Sequence, residues 1–228
     1  MQLKQAIETV KKEIEEAAIK VGRNPDEITL IAVSKSHPTS LIEEAIECGL
    51  TVFGENRVQE AERKILELGH RDVEWHLIGH LQSNKAKKAV KLFDVIHSVD
   101  SIKLASSLER ICKEEGRNGF KSDRLPIFIQ VKLSDEETKS GIVEERLPEL
   151  IEFVQSCEKL ELKGLMTLPP FFEDVEKVRP YFRRLRELRD KHLPNGWLSM
   201  GMSHDFRIAI EEGATHVRIG TRIFGQRS

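Results

Sequence analysis

The sequence predicts one α/β domain, a closed (β/α)8 barrel with an extra N-terminal helix, on three observations. Short apolar runs rich in β-branched residues alternate along the chain with longer stretches of helical periodicity. The clearest run, Ile28-Thr-Leu-Ile-Ala-Val-Ser34, is apolar on nearly every position rather than every second one, as a parallel strand buried on both faces is. Eight such runs fit within 228 residues without a linker, repeat or low-complexity tract, and eight parallel strands with right-handed crossovers close at about this length. An open doubly wound sheet is the alternative topology. Residues 1–228 read as a single domain.

The elements follow in order. Leu3, Ile7, Val10, Ile14, Ala17, Ala18 and Val21 recur at steps of three and four, one apolar helix face closed by Gly22. Asn24-Pro25-Asp26 is a turn, and the first strand covers residues 28–34. A helix over 39–48 ends at Gly49, and a short strand over 51–53 runs into Gly54-Glu55-Asn56. A helix over 58–68 stops at Gly69, and a strand over 74–78 at Gly79. Helix 84–91, strand 93–99 and helix 102–115 follow, the last stopped by Gly116. Strand 126–131 leads into a polar loop reaching Gly141. Helix 145–157 carries Pro148 near its start, and strand 160–166 ends before Pro169-Pro170. A long helix over 175–192 is interrupted early by Pro180. Strand 197–200, helix 204–212 and strand 216–219 complete the chain before Gly220.

Composition excludes several classes. Lysine plus arginine number 36 and aspartate plus glutamate 38, a net charge of −2, which gives no general attraction to nucleic acid or an anionic membrane. No apolar run reaches the roughly 18 residues of a spanning helix, and residues 1–21 lack the uninterrupted apolar core of a signal peptide. Cys48, Cys112 and Cys157 lie far apart with no Cys-x-x-Cys pair. They are expected as buried thiols of a cytoplasmic protein.

In such a barrel functional groups sit at the C-terminal strand ends. Those positions hold Lys35, Asn56, His80 and Gln82, Met166, Met202 and Ser203, and Gly220 and Thr221. A lysine at an apolar mouth is partly desolvated, which favours the neutral amine that attacks aldehydes. The ordinary alternative is a packed stem with its ammonium in water. In Ser199-Met-Gly-Met-Ser-His-Asp205, Gly201 permits a tight turn and Ser203 is an expected N-cap for the helix from His204. A helix N-terminus suits a phosphate. In Val217-Arg-Ile-Gly-Thr221, Gly220 permits close approach to the backbone and Thr221 adds a hydroxyl. Barrel phosphate sites frequently use these last two loops. Arg218, inside the last strand, needs a partner if buried, either a carboxylate or a ligand.

Six ordered motifs spread over nearly the whole chain carry a resemblance. They are Ala32-Val-Ser-Lys35, Phe53-Gly-Glu-Asn56, Trp75-His-Leu-Ile-Gly-His-Leu-Gln-Ser-Asn-Lys85, Gly164-Leu-Met166, Ser199-Met-Gly-Met-Ser203, and Val217-Arg-Ile-Gly-Thr221 through Phe224-Gly225. Together they resemble the pyridoxal phosphate homeostasis protein family, whose fold is similar to the N-terminal barrel of alanine racemase. The resemblance implies a Schiff base between Lys35 and pyridoxal 5′-phosphate. It implies that Ser203, Gly220 and Thr221 hold the phosphate, that Met202 and Asn56 line the site, and that Arg218 faces the pyridine nitrogen. An arginine does not readily yield a proton to that nitrogen, which weakens the ring as an electron sink. Racemisation also needs a second base, which alanine racemase takes from a tyrosine of another domain; here Tyr181 is the one tyrosine, inside a predicted outer helix.

The expected function is therefore carriage and supply of pyridoxal phosphate in vitamin B6 homeostasis, by a monomer without turnover, with pyridoxal-phosphate-dependent apoenzymes as recipients. A pyridoxal-dependent amino-acid racemase is the alternative, and a Schiff-base aldolase the third reading. His76 and His80 straddle a strand end and do not predict a metal site; His80 is a minor candidate for the pocket. Residues 183–189 and the lysines at 85, 87, 88 and 91 read as solvated helix faces. The loop over 134–141 is a candidate lid.

Overall fold

The computed structural model describes residues 2–69, 72–117, 119–134, 136 and 140–226. Eight parallel strands form a closed barrel: β1 Thr29–Val33, β2 Val52–Glu55, β3 Glu74–Leu77, β4 Val95–Val99, β5 Leu125–Gln130, β6 Leu160–Met166, β7 Trp197–Met202 and β8 His216–Ile219. Neighbours in sequence are neighbours in the sheet, and β8 pairs with β1 from Thr29↔His216 to Ala32↔Ile219. The expected (β/α)8 barrel is therefore the fold, and the open sheet is set aside.

The helices are α1 Gln2–Lys20, α2 Thr39–Glu47, α3 Val58–Leu68, α4 Ala86–Leu92, α5 Ile102–Glu115, α6 Leu147–Ser156, α7 Arg179–His192, α8 Phe206–Glu211 and α9 Thr221–Phe224. They bury the faces that the periodicity predicts. In α1 these are Leu3, Ile7, Val10, Ile14, Ala17 and Ala18, set against α8 and α9, so the extra helix covers the side of the barrel where the last two helices are short. No described helix is long and apolar enough to cross a membrane.

Four expectations shift. β2 runs on through Glu55, so Gly54 and Glu55 belong to the strand and Glu55 is fully buried. The helix expected over 84–91 opens with a 3₁₀ turn, Ser83–Lys85. Pro180 does not interrupt a helix: the segment Val175–Val178 is a 3₁₀ turn and Pro180 lies in the first turn of α7, where its missing N–H has no intrahelical partner to lose. β7 extends to Met202, and α8 begins at Phe206 rather than His204. Gly201 makes that bend possible, with φ 94° and a would-be Cβ within 2.5 Å of Ala209 Cβ.

Candidate functional site

A cavity of about 540 Å³, inside the roughly 300–1,000 Å³ range of small-molecule sites, opens at the C-terminal strand ends. Lys35, Asn56, Met202, Ser203, Arg218, Gly220 and Thr221 all line it. The two phosphate-type stretches and the lysine, which lie at opposite ends of the sequence, meet because β8 pairs with β1.

Lys35 is half-buried in the turn just past β1. Beneath it lies a buried ion cluster. Lys64 Nζ donates to the Ser34 carbonyl at 2.7 Å, to Glu55 Oε1 at 2.7 Å and to Glu60 Oε1 at 2.8 Å. Ser34 Oγ donates to the same Glu55 oxygen at 2.7 Å, and the Ser36 N–H to Glu60 Oε1 at 2.5 Å. The residues on both sides of Lys35 are thus held by one cluster. It also offsets the unfavourable backbone of Ser36, a non-glycine residue at φ 66°. Burial pushes the Glu55 carboxyl up and Lys64 pulls it back.

Asn56 is brought to the mouth by a close approach. A Cβ on Gly79 would lie 2.2 Å from the Asn56 carbonyl oxygen, so only glycine lets the end of β3 pass that backbone. Gly79, Ile78 and His80 line the same wall.

Arg218 is almost fully buried and has neutral partners. It donates through Nη1 to Ser199 Oγ at 2.6 Å and through Nη2 to the Thr167 carbonyl at 2.9 Å. Burial lowers its pKa to about 10, with Asp205 opposing the shift through space. Of the two expected kinds of partner, the described contacts supply no carboxylate in the ion-pair range; hydroxyl and carbonyl oxygens hold the guanidinium from below while it faces the cavity.

On the β7–β8 side one expectation is corrected. Asp205, not Ser203, occupies the N-cap position of α8, and its Oδ1 accepts the Met202 N–H at 2.6 Å. Ser203 lies two residues too early for that role. Its Oγ instead accepts the Gly220 N–H at 3.2 Å, tying the two loops together and leaving its own hydroxyl hydrogen to donate elsewhere. The Cβ absent from Gly220 would sit 3.1 Å from the Val33 carbonyl oxygen, so this glycine also allows β8 to close on β1. Thr221 opens α9, in which the Ile223 and Phe224 N–H groups donate to the Gly220 carbonyl at 2.9 Å.

Other named residues fall apart from this group. Gln82 lies in an adjoining groove, and Met166 is fully buried away from the lining. His80 lines the cavity, with Nδ1 3.8 Å from Asp100 Oδ2. His76 points into the barrel interior and bonds His97. Of the expected lid loop, residues 135 and 137–139 lie outside the described residues. The sequence reading missed Leu168, Pro169 and His204 in the lining, although Pro169-Pro170 marked the loop. It also missed Lys64 entirely, because in sequence it is one of several charges on an amphipathic helix.

The alanine racemase N-terminal domain family model matches residues 10–228. The chain is 44% identical to the pyridoxal phosphate homeostasis protein of Aquifex aeolicus, over 96% of this chain and 95% of that one. It is 41% identical to the protein of that name from Escherichia coli K12, over 96% and 94%. Among solved structures it is similar to PipY of Synechococcus elongatus PCC7942 with PLP bound, at 40% identity and TM-score 0.79, covering 93% of this chain and 100% of PipY. Alanine racemase from Corynebacterium glutamicum, at 17% identity and TM-score 0.65, covers 96% of this chain and 61% of its own, a likeness of fold alone. Sequence and structure together make this chain a member of the pyridoxal phosphate homeostasis protein family, built on the alanine racemase N-terminal domain.

Proposed function

We propose that the cavity binds pyridoxal 5′-phosphate as a Schiff base on Lys35, and that the chain holds and supplies this cofactor in vitamin B6 homeostasis. The observation that carries the reading is the lining itself: a strand-end lysine, a buried guanidinium and the hydroxyls of Ser203 and Thr221 share one cavity. That set fits the ligand's aldehyde, ring and phosphate. Ser203 and Thr221 donate to the phosphate beside the Gly220 backbone. Arg218 meets the ring with a charged donor, and Asn56 and Met202 flank it. The bound PipY structure and the names of the relatives support the same ligand.

When bound, the cofactor supplies an electron sink. The chain's own residues favour retention over turnover. Arg218 stays charged near neutral pH and donates rather than delivering a proton. Tyr181 sits on α7 with its ring 5.7 Å from Phe172, and among the described residues no tyrosine lines the cavity. The protein acts as a monomer in the cytoplasm, with pyridoxal-phosphate-dependent apoenzymes as recipients.

Incubation of the loaded protein with L- or D-alanine in heavy water separates carrier from racemase. The α-proton should persist; sustained exchange with inversion would defeat the carrier reading. Thr221→Ala should loosen the cofactor about tenfold to hundredfold, one hydrogen bond to a charged group, with the fold intact. Unchanged affinity would place the phosphate elsewhere.

A further inference from the structure

The barrel interior is polar where aliphatic packing is usual. Below Arg218 runs a file of polar side chains from three further strands, hydrogen-bonded as far as His76, whose Nε2 is buried without a hydrogen-bond partner. Arg218 Nη1 reaches Ser199 Oγ at 2.6 Å, and Ser199 Oγ lies 2.9 Å from His97 Nδ1. His97 Nε2 lies 2.9 Å from His76 Nδ1, and His76 Nε2 stands 3.6 Å from Glu74 Oε2. Ser199 and His97 are fully inaccessible and His76 nearly so. Glu74 begins β3, at the barrel end opposite the cavity, where its carboxylate meets solvent and Lys121 at 2.8 Å.

The Arg218 end sets the direction of this file by hydrogen bonding, and the Glu74 charge at the other end favours the same direction. A guanidinium can only donate, and an ionised carboxylate can only accept. Ser199 Oγ accepts from Arg218, so its one hydrogen is available to His97 Nδ1. A neutral His97 that accepts there carries its hydrogen on Nε2 and donates to His76 Nδ1. A neutral His76 then carries its own hydrogen on Nε2, on the Glu74 side, 3.6 Å from the carboxylate and outside hydrogen-bond reach. Burial, with His76, His216 and Arg218 nearby, holds His97 far below the usual histidine range, and contact with His76 holds Glu74 down to about 2. Packing fixes the rings as well: His97 stacks on Phe128 at 4.3 Å, and His216 meets Phe128 edge-on at 5.2 Å.

The geometry points to a one-way relay, Arg218→Ser199→His97→His76, that positions Arg218 for the ligand's ring, with the Glu74 carboxylate as the charge 3.6 Å beyond its last nitrogen. It rests on the reading of the cavity as the pyridoxal phosphate site. Ser199, His97 and His76 are positioning residues, since none touches the cavity. The relay lets the cavity keep a positive donor with no carboxylate hydrogen-bonded to it, Asp205 acting only through space. A carboxylate there would compete for the guanidinium and repel the phosphate.

The test has three readouts. Long-range ¹H–¹⁵N correlation on the ligand-free chain, labelled at histidine, reads the tautomers without any variant. The relay requires both His97 and His76 with hydrogen on Nε2; a hydrogen on Nδ1 of His97 overturns it. The second readout is the bound chromophore. Glu74→Gln, at the solvent-exposed end, should move the pH midpoint of the chromophore's absorption to lower pH, because removing a linked negative charge disfavours the protonated form. An unmoved midpoint overturns the relay. Ser199→Ala should raise the Kd for pyridoxal phosphate about tenfold, as for a lost charge-assisted hydrogen bond, and Ser199→Thr should restore it. If the wild type takes up no pyridoxal phosphate, the assignment of the cavity fails, while the tautomers still decide the relay.

Discussion

Two cations are buried near the open end of this barrel, and the molecule treats them in opposite ways. Lys64, under the β1 exit, has two carboxylates within 2.8 Å and a backbone carbonyl besides. Arg218, at the β8 end, has a hydroxyl and a carbonyl. Local carboxylates cancel most of a buried charge's field, so Lys64 serves to fix the turn around Lys35. Neutral oxygens orient a charge without cancelling it, so Arg218 still presents a donor to the cavity. Burial alone therefore does not separate a structural cation from a functional one; the partners do.

The largest effect expected from this contrast is on stability at Lys64. Lys64→Met strands Glu55 in the interior, where one oxygen already lacks a partner, and should lower the unfolding free energy by about 3–5 kcal/mol. Denaturant titration checks it, and a loss below about 1 kcal/mol would end the structural reading of this cluster. Arg218→Met should show the reverse pattern. Removing an arginine with no paired carboxylate should change stability by no more than about 1 kcal/mol, while pyridoxal phosphate affinity falls about tenfold or more. Equal losses of stability in the two variants would erase the comparison.

A third effect is graded with pH and belongs to the Arg218 side. His216 is held down to about 3 and His97 well below its usual value, chiefly by burial. The groups facing them, His76 and Arg218, add repulsion. The unfolded chain binds protons at these histidines near pH 6.5 and the folded chain does not, so stability rises with pH across that interval. Their contribution is complete above about pH 6.5 and declines below it, by about 1.4 kcal/mol per pH unit for each histidine. Denaturation midpoints between pH 7 and 5 should show this slope, and His216→Phe should reduce it.

Legibility in the sequence follows the same division. Strand and helix order was readable because the strands are short, mostly apolar runs and each helix carries one apolar stripe. The positions of Lys35, Asn56, Gly220 and Thr221 were readable because strand ends define the mouth. The Ser203 role was misassigned because β7 runs two residues longer than its apolar run suggests, so the cap moved to Asp205. The interior file of Ser199, His97 and His76 was not readable. They lie on three strands far apart in sequence, and only closure of the barrel makes them neighbours. Lys64 was hidden for a similar reason: its partner Glu55 lies at the end of β2, beyond the stretch recognisable as strand.

The proposed function depends first on Lys35 as the anchor of the cofactor. The visible absorption spectrum of the purified protein with pyridoxal 5′-phosphate, wild type against Lys35→Ala, before and after borohydride, tests it most directly. A yellow Schiff-base band is expected in the wild type alone, fixed by reduction to the peptide that contains Lys35. The same band in both proteins would move the anchor to another lysine, and no band in either would contradict the assignment of the cavity itself.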